Sequence, residues 1–184
     1  MNRALSTIII TIITAVLAGC FGAAPIKHAT DAKHSAAYGN ITPPDNLVIT
    51  RVILYKVGEV YAPPFKSPPQ SHTYTNGNFF FENLTPGKYF LASFMSGNHI
   101  FYFNYRGLKD EEFLEKVAID IKPGSVVYLG SYQVTGIERN FFKSDTFEIK
   151  PSKKPGKGTI LEHLKQAAKG TGREKRFAKT MAAN

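Results

Sequence analysis

The chain has 184 residues, 43% hydrophobic and 20% charged, which suits one globular domain with a real core and excludes a disordered chain or two full domains. A single cysteine, Cys20, excludes an intramolecular disulfide, so the fold must rest on its core alone. The net charge of +9 is unevenly placed: ten Lys/Arg stand against two acids from Lys150 onward, whereas twelve bases meet twelve acids between Cys20 and Ile149.

Met1-Asn2-Arg3 is a short positive start, and Ala4 to Ala18 is apolar and rich in Ile and Thr. Small residues follow, which is the layout of a secretory signal peptide over residues 1–19. The ending Leu17-Ala18-Gly19-Cys20 resembles the lipobox of bacterial lipoproteins. The resemblance implies cleavage before Cys20, diacylation of its thiol, and anchoring of the chain to a membrane through that lipid. Such lipoproteins carry Asp after the cysteine when retained at the inner membrane. Phe21 stands there instead, so the resemblance implies the inner leaflet of the outer membrane, facing the periplasm. The competing reading is an uncleaved anchor helix, since no charge occurs from Ala4 to Ile26, but Gly19, Gly22 and Pro25 interrupt it.

Residues 20–46 show no sustained period and end near Pro43-Pro44, which reads as a lipidated N-terminus and flexible linker reaching roughly 25–30 Å. His28, Asp31 and His34 are the nearest approach to a metal cluster, and no rigid element is expected to fix them. No metal or cofactor is expected. The sequons at Asn40 and Asn83 are discounted beside a bacterial export signal.

From 47 to 150, short apolar or alternating runs are separated by Pro, Gly and Asn clusters. Expected strands are 47–56, 58–61, 71–75, 78–82, 88–95, 99–105, 116–121, 125–135 and 146–150. That spacing predicts an all-β, antiparallel sandwich of seven to nine strands. Pro63-Pro64 and Pro68-Pro69 bracket a loop, and Gly130 is expected to mark a bulge or a bend. Pro86-Gly87 fits the centre of a type II turn. Phe79 and Phe81 before it, and Tyr89, Leu91 and Ser93 after it, are expected to face the core. Gly77, Phe79, Phe81, Leu84, Pro86, Gly87, Tyr89 and Leu91 form a pattern similar to the carboxypeptidase-regulatory-like domains. That resemblance implies a prealbumin-like sandwich and carries no activity with it.

Phe101, Phe103 and Tyr105 alternate with Ile100, Tyr102 and Asn104. This reads either as a strand covered on both faces or as a ligand platform centred on Tyr102 and Tyr105. Asp110-Glu111-Glu112 lacks a calcium-loop spacing and reads as a solvated loop or helix turn. His72, His99 and His163 stand in unlike contexts, and no Gly-x-Ser-x-Gly, His-Glu-x-x-His or phosphate loop occurs. No catalytic residue is assigned.

Residues 151–184 form a basic tail. Thr159 and Glu162 have capping-box spacing, and Ile160, Leu161, Leu164, Ala167 and Ala168 make an apolar stripe for a helix over 159–169. Gly170-Thr171-Gly172 should break it, leaving 173–179 as a frayed turn or disordered. The helix packs on the sandwich, or the segment touches an anionic surface through Lys165, Lys169, Arg173, Lys175, Arg176 and Lys179, or both hold, the helix docking while the last segment binds. Export excludes nucleic acid as the acidic partner. Anionic lipid, lipopolysaccharide or cell wall remain, with an unidentified protein partner. The expected function is a membrane-anchored, non-catalytic binding or envelope-assembly module; the alternatives are a carbohydrate- or other ligand-binding accessory lipoprotein, or a hydrolase.

Overall fold

The computed structural model describes residues 34–44, 47–62, 65–103, 111–138 and 146–182. Its strands are β1 (Ser35–Thr42), β2 (Arg51–Lys56), β3 (His72–Thr73), β4 (Asn78–Leu84), β5 (Gly87–Ser96), β6 (His99–Tyr102), β7 (Ile119–Ile121), β8 (Val126–Glu138) and β9 (Thr146–Pro151). Its helices are α1 (Glu111–Val117), α2 (Lys157–Ala167) and α3 (Gly172–Ala182).

The strands form two sheets, as the turn spacing predicts. Sheet A runs β3-β4-β1-β8-β9; in sheet B, β5 lies beside β2 and shares its other edge between β6 and β7. Alternation along β4 sends Phe79 and Phe81 between the sheets, where they meet Ala37, Ile41, Leu129 and Val134 of sheet A and Val52, Leu54, Tyr89 and Phe94 of sheet B. Phe94 stacks on Phe101 at 4.9 Å and meets Phe147 edge-on at 5.0 Å.

Phe80, between those two inward residues, is also fully buried. It points to the opposite face of sheet A, where Tyr38, Ile160, Leu161, Leu164, Ala168 and Phe177 close around it. Helices α2 and α3 therefore form a third layer. On the outer face of sheet B, the shorter α1 covers Phe90 and Ala92 with Leu114 and Phe113.

The largest departure from the sequence reading is β1. Residues 35–42 lie inside the expected linker 20–46, yet they form the central strand of sheet A. β1 runs antiparallel to β4 and parallel to β8, so the sandwich is not wholly antiparallel. Asn40 of the first sequon is buried and donates from Nδ2 to Asn78 Oδ1 at 2.8 Å. Gly130 behaves as expected: its φ of +111° accompanies a register shift between β1 and β8, where the bulge adds a residue to β8.

Pro86-Gly87 does not close a hairpin. β4 ends at Leu84 in sheet A and β5 begins at Gly87 in sheet B, and Gly87 has a φ of +146°, far from a type II turn. The segment is a crossing between layers. Tyr89 and Leu91 face the core as expected, but a slip in the β2–β5 register between Ser93 and Leu91 shifts the alternation, so Phe94 rather than Ser93 enters the aromatic cluster. Residues 58–61 form no strand. Within 116–121 the chain finishes α1 before β7 starts. Helix α2 begins at Lys157 after Gly156, with no side-chain cap, so Thr159 lies inside it rather than capping it. Residues 173–179, expected to fray, belong to α3.

A test separates the two readings of residues 35–46. A chain starting at His34 is expected to unfold cooperatively in urea, and one starting at Leu47 to show no cooperative transition, because it lacks the middle strand of sheet A. A cooperative transition in the shorter chain would contradict this register.

Candidate functional site

Two places in the fold combine accessible space or charge with unusual side-chain placement: a cavity at the edge of sheet B, and the helical layer on sheet A.

The cavity follows from how β5 is paired. Residues 93–96 bond to β6 and residues 87–89 to β7, on the same edge. Between those partners, the Phe103 N–H donates to the Ala92 carbonyl at 3.0 Å. The gap opens a cavity of about 310 Å³ lined by Phe90, Leu91, Phe103, Phe113, Leu114, Val117, Ile119 and Tyr132. α1 roofs it, and Leu91, Phe103, Ile119 and Tyr132 connect it to the inter-sheet core. The lining side chains are aliphatic or aromatic, with the Tyr132 hydroxyl as their polar group. That hydroxyl donates to the Leu129 carbonyl at 3.0 Å, and burial raises its pKa, with Tyr128 adding to the effect. Such a space has the size and lining to desolvate an apolar moiety.

A second, polar pocket of about 290 Å³ lies where β4 crosses to β5, lined by Glu59, Tyr61, Lys66, Glu82, Thr85 and Tyr89 among others. Its charged groups are already paired. Lys66 and Lys56 reach Glu59 at 3.2 and 3.7 Å. Burial pushes the Glu59 carboxyl up, but the two ammonium groups outweigh it and hold the pKa below its ordinary value. Tyr61 is pushed up to about 12, chiefly by burial.

Around Phe80 lies a chain of charges that joins the helical layer to the sheet. Arg173 of α3 is 1% exposed and forms an ion pair with Glu82 of β4. His72 of β3 reaches the other oxygen of Glu82 at 3.0 Å and stacks on Phe80 at 4.8 Å. The Arg173 guanidinium also stands over the Phe80 ring at 5.9 Å. Burial lowers the Arg173 pKa to about 10, with the Arg176 charge adding to it. His72 is held below its usual value by burial and then by Arg173, which already neutralises the carboxylate that would otherwise favour imidazolium. His72 thus meets a carboxylate, as a hydrolase would require. However, it does not line the neighbouring pocket, and Arg173 shares the same carboxylate.

The expected contacts with an anionic surface divide accordingly. Lys169, Lys175 and Lys179 are exposed, and Lys165 is half-buried beside Glu162 at 3.9 Å. Arg173 is not a surface residue, because its i, i+4 spacing with Phe177 puts both on the face of α3 that meets the sheet. Arg176 is half-buried and donates from Nη2 to the His34 carbonyl at 2.6 Å. Tyr102 lies on the outer face of sheet B, 37% exposed, close enough to Tyr55 to raise its pKa after burial. Its neighbour Phe101 is core, so the strand is aromatic on both faces for two different reasons. Tyr105, Cys20, His28, Asp31, Pro63, Pro64 and Asp110 lie outside the described residues, as does the whole signal over 1–19. The sequence reading missed the cavity, since its lining residues come from five segments. It also missed the Glu82–Arg173 pair, for which the i, i+4 pair Arg173 and Phe177 was the available signal.

No family model and no curated protein matches the chain. Among solved structures, it is similar to a DUF3823 family protein from Parabacteroides merdae, at 12% identity and a TM-score of 0.29. The match covers 66% of this chain and 60% of that protein's length.

Breaking the buried pair from one side should cost more than removing it whole. Arg173→Met is expected to destabilise by about 3 kcal/mol in urea unfolding at a pH where His72 is neutral, because Glu82, only 18% exposed, then keeps a charge with no cationic partner. Adding Glu82→Gln should restore at least about 1 kcal/mol. Strictly additive losses would show that the two side chains do not interact.

Proposed function

We propose that the chain is a lipoprotein of the bacterial envelope, held at a membrane by lipid on Cys20, whose sandwich binds an apolar ligand or partner group without catalysis. The N-terminal motif Leu17-Ala18-Gly19-Cys20 supports the anchor, and Phe21 supports the outer membrane, facing the periplasm. The carboxypeptidase-regulatory-like pattern fits the same reading, with Phe79 and Phe81 as its core residues. The observation that carries a binding role is the cavity beneath α1, a preformed space lined by aliphatic and aromatic side chains. A carbohydrate-binding role is the second reading, favoured by Tyr102 standing exposed beside Tyr55 on the outer face of sheet B.

Two measurements test this reading. Labelled palmitate should be incorporated by the wild type and not by Cys20→Ser, and mass spectrometry of the wild-type mature N-terminus should show acyl chains on Cys20. An unmodified chain beginning at Met1 would refute the anchor. For the cavity, the probe N-phenyl-1-naphthylamine should bind with enhanced fluorescence. Val117→Trp, at a rim position 42% exposed, should weaken that binding at least about tenfold without lowering the unfolding midpoint. Unchanged probe affinity in Val117→Trp would place the ligand elsewhere.

A further inference from the structure

The α2–α3 layer has two unlike sides. Its inner side, Ile160, Leu161, Leu164, Ala168 and Phe177, is committed to sheet A. Its outer side carries Lys165, Lys169, Lys175 and Lys179, and these belong to the segment that holds the whole positive excess of the chain after Cys20. In α3, Lys175 and Lys179 share a face opposite Arg173 and Phe177.

The start of β1 lies close to this basic surface. β1 begins at Ser35, and the residue before it is tied to α3 by the bond from Arg176 Nη2 to the His34 carbonyl. His34 thus lies beside α3, while Ser35 bonds to the β7–β8 turn, its hydroxyl donating to the Lys122 carbonyl at 2.6 Å. Residues 21–33 separate Cys20 from His34 and span at most about 45 Å when fully extended. A membrane holding Cys20 lies within that length of the basic layer. Electrostatic attraction to it acts over roughly 8–10 Å at physiological salt, so the layer must approach closely to benefit.

We propose that the outer side of the α2–α3 layer is a second membrane contact, in which Lys165, Lys169, Lys175 and Lys179 bind the anionic headgroups of the same leaflet that holds the lipid on Cys20. This rests on the lipid-anchor reading above. One lipid signal and one basic surface then act together. The sandwich is oriented with sheet A toward the bilayer and the α1 cavity away from it, open to a ligand in the aqueous space.

Cys20 is the chain's only cysteine, so once it is lipidated a single introduced cysteine takes a fluorophore cleanly. The full-length lipoprotein would be labelled either at Ala182→Cys, exposed at the end of α3, or at Ile100→Cys, 42% exposed on the outer face of sheet B. Each is placed in vesicles of phosphatidylcholine with about 30% phosphatidylglycerol and a headgroup nitroxide quencher. Quenching at 182 should exceed that at 100 by about threefold or more. The ratio should fall to about one in pure phosphatidylcholine, in about 0.5 M salt, and in the variant K165Q/K169Q/K175Q/K179Q. A protein that floats with neutral vesicles but gives a ratio near one on anionic vesicles overturns the orientation alone. So does an undiminished ratio in the glutamine variant, or lysine-dependent sedimentation with purified cell-wall sacculi while 182 stays unquenched. A protein that fails to float with neutral vesicles overturns the lipid anchor, and the proposal with it.

Discussion

Sheet A is apolar on both faces, and the rest of the structure follows from that. In Phe79-Phe80-Phe81 three consecutive rings are buried, so alternation alone requires a hydrophobic layer on each side of β4. Sheet B supplies one layer. Left bare, the other face would expose Phe80 and Tyr38 as a contiguous apolar patch. Burying each large side chain contributes on the order of 1.5–3 kcal/mol. The basic C-terminal segment therefore docks despite its charge, using Leu and Ile from α2 and the single ring of Phe177 from α3.

Docking by so few apolar anchors has electrostatic consequences. α3 is mostly polar and charged, so a buried arginine completes its inner face, and that arginine must find a carboxylate. Glu82 sits two residues beyond Phe80 on the same face of β4 and supplies it. Nε and Nη1 of Arg173 find no hydrogen-bond partner among the described residues, so the pair contributes less to stability than to fixing where α3 lies. Lys169, Lys175 and Lys179 are turned outward. The same segment that completes the core thereby becomes the charged surface of the molecule.

The sequence was most legible where chemistry and periodicity were local. The alternation in β4, the bulge at Gly130 and the apolar stripe of α2 were each readable from neighbouring residues. β1 was not. Ser35-Ala36-Ala37-Tyr38-Gly39-Asn40 is short on large β-formers, although it is the middle strand of a sheet buried on both faces, where a continuous run of large apolar residues is the usual signal. Gly39 lies against the Phe79 ring and the Gly130 carbonyl, so closely that a Cβ there would stand 2.6–2.7 Å from them. Small residues chosen for close packing have the same composition as a linker. α3 was missed for the opposite reason, because its two inward residues are outnumbered by outward charges and preceded by Gly170-Thr171-Gly172. The cavity could not be read at all, since it depends on β6 and β7 dividing one edge of β5.

The basic C-terminus is a packed layer of the domain and not a solvated tail. Hydrogen exchange on the intact protein tests it most directly. The amides of α3 around Phe177 should be protected together with those of α2 and opened by the same sub-global transition. Exchange of the α3 amides at the rate of an unstructured peptide, with α2 and sheet A still protected, would contradict it.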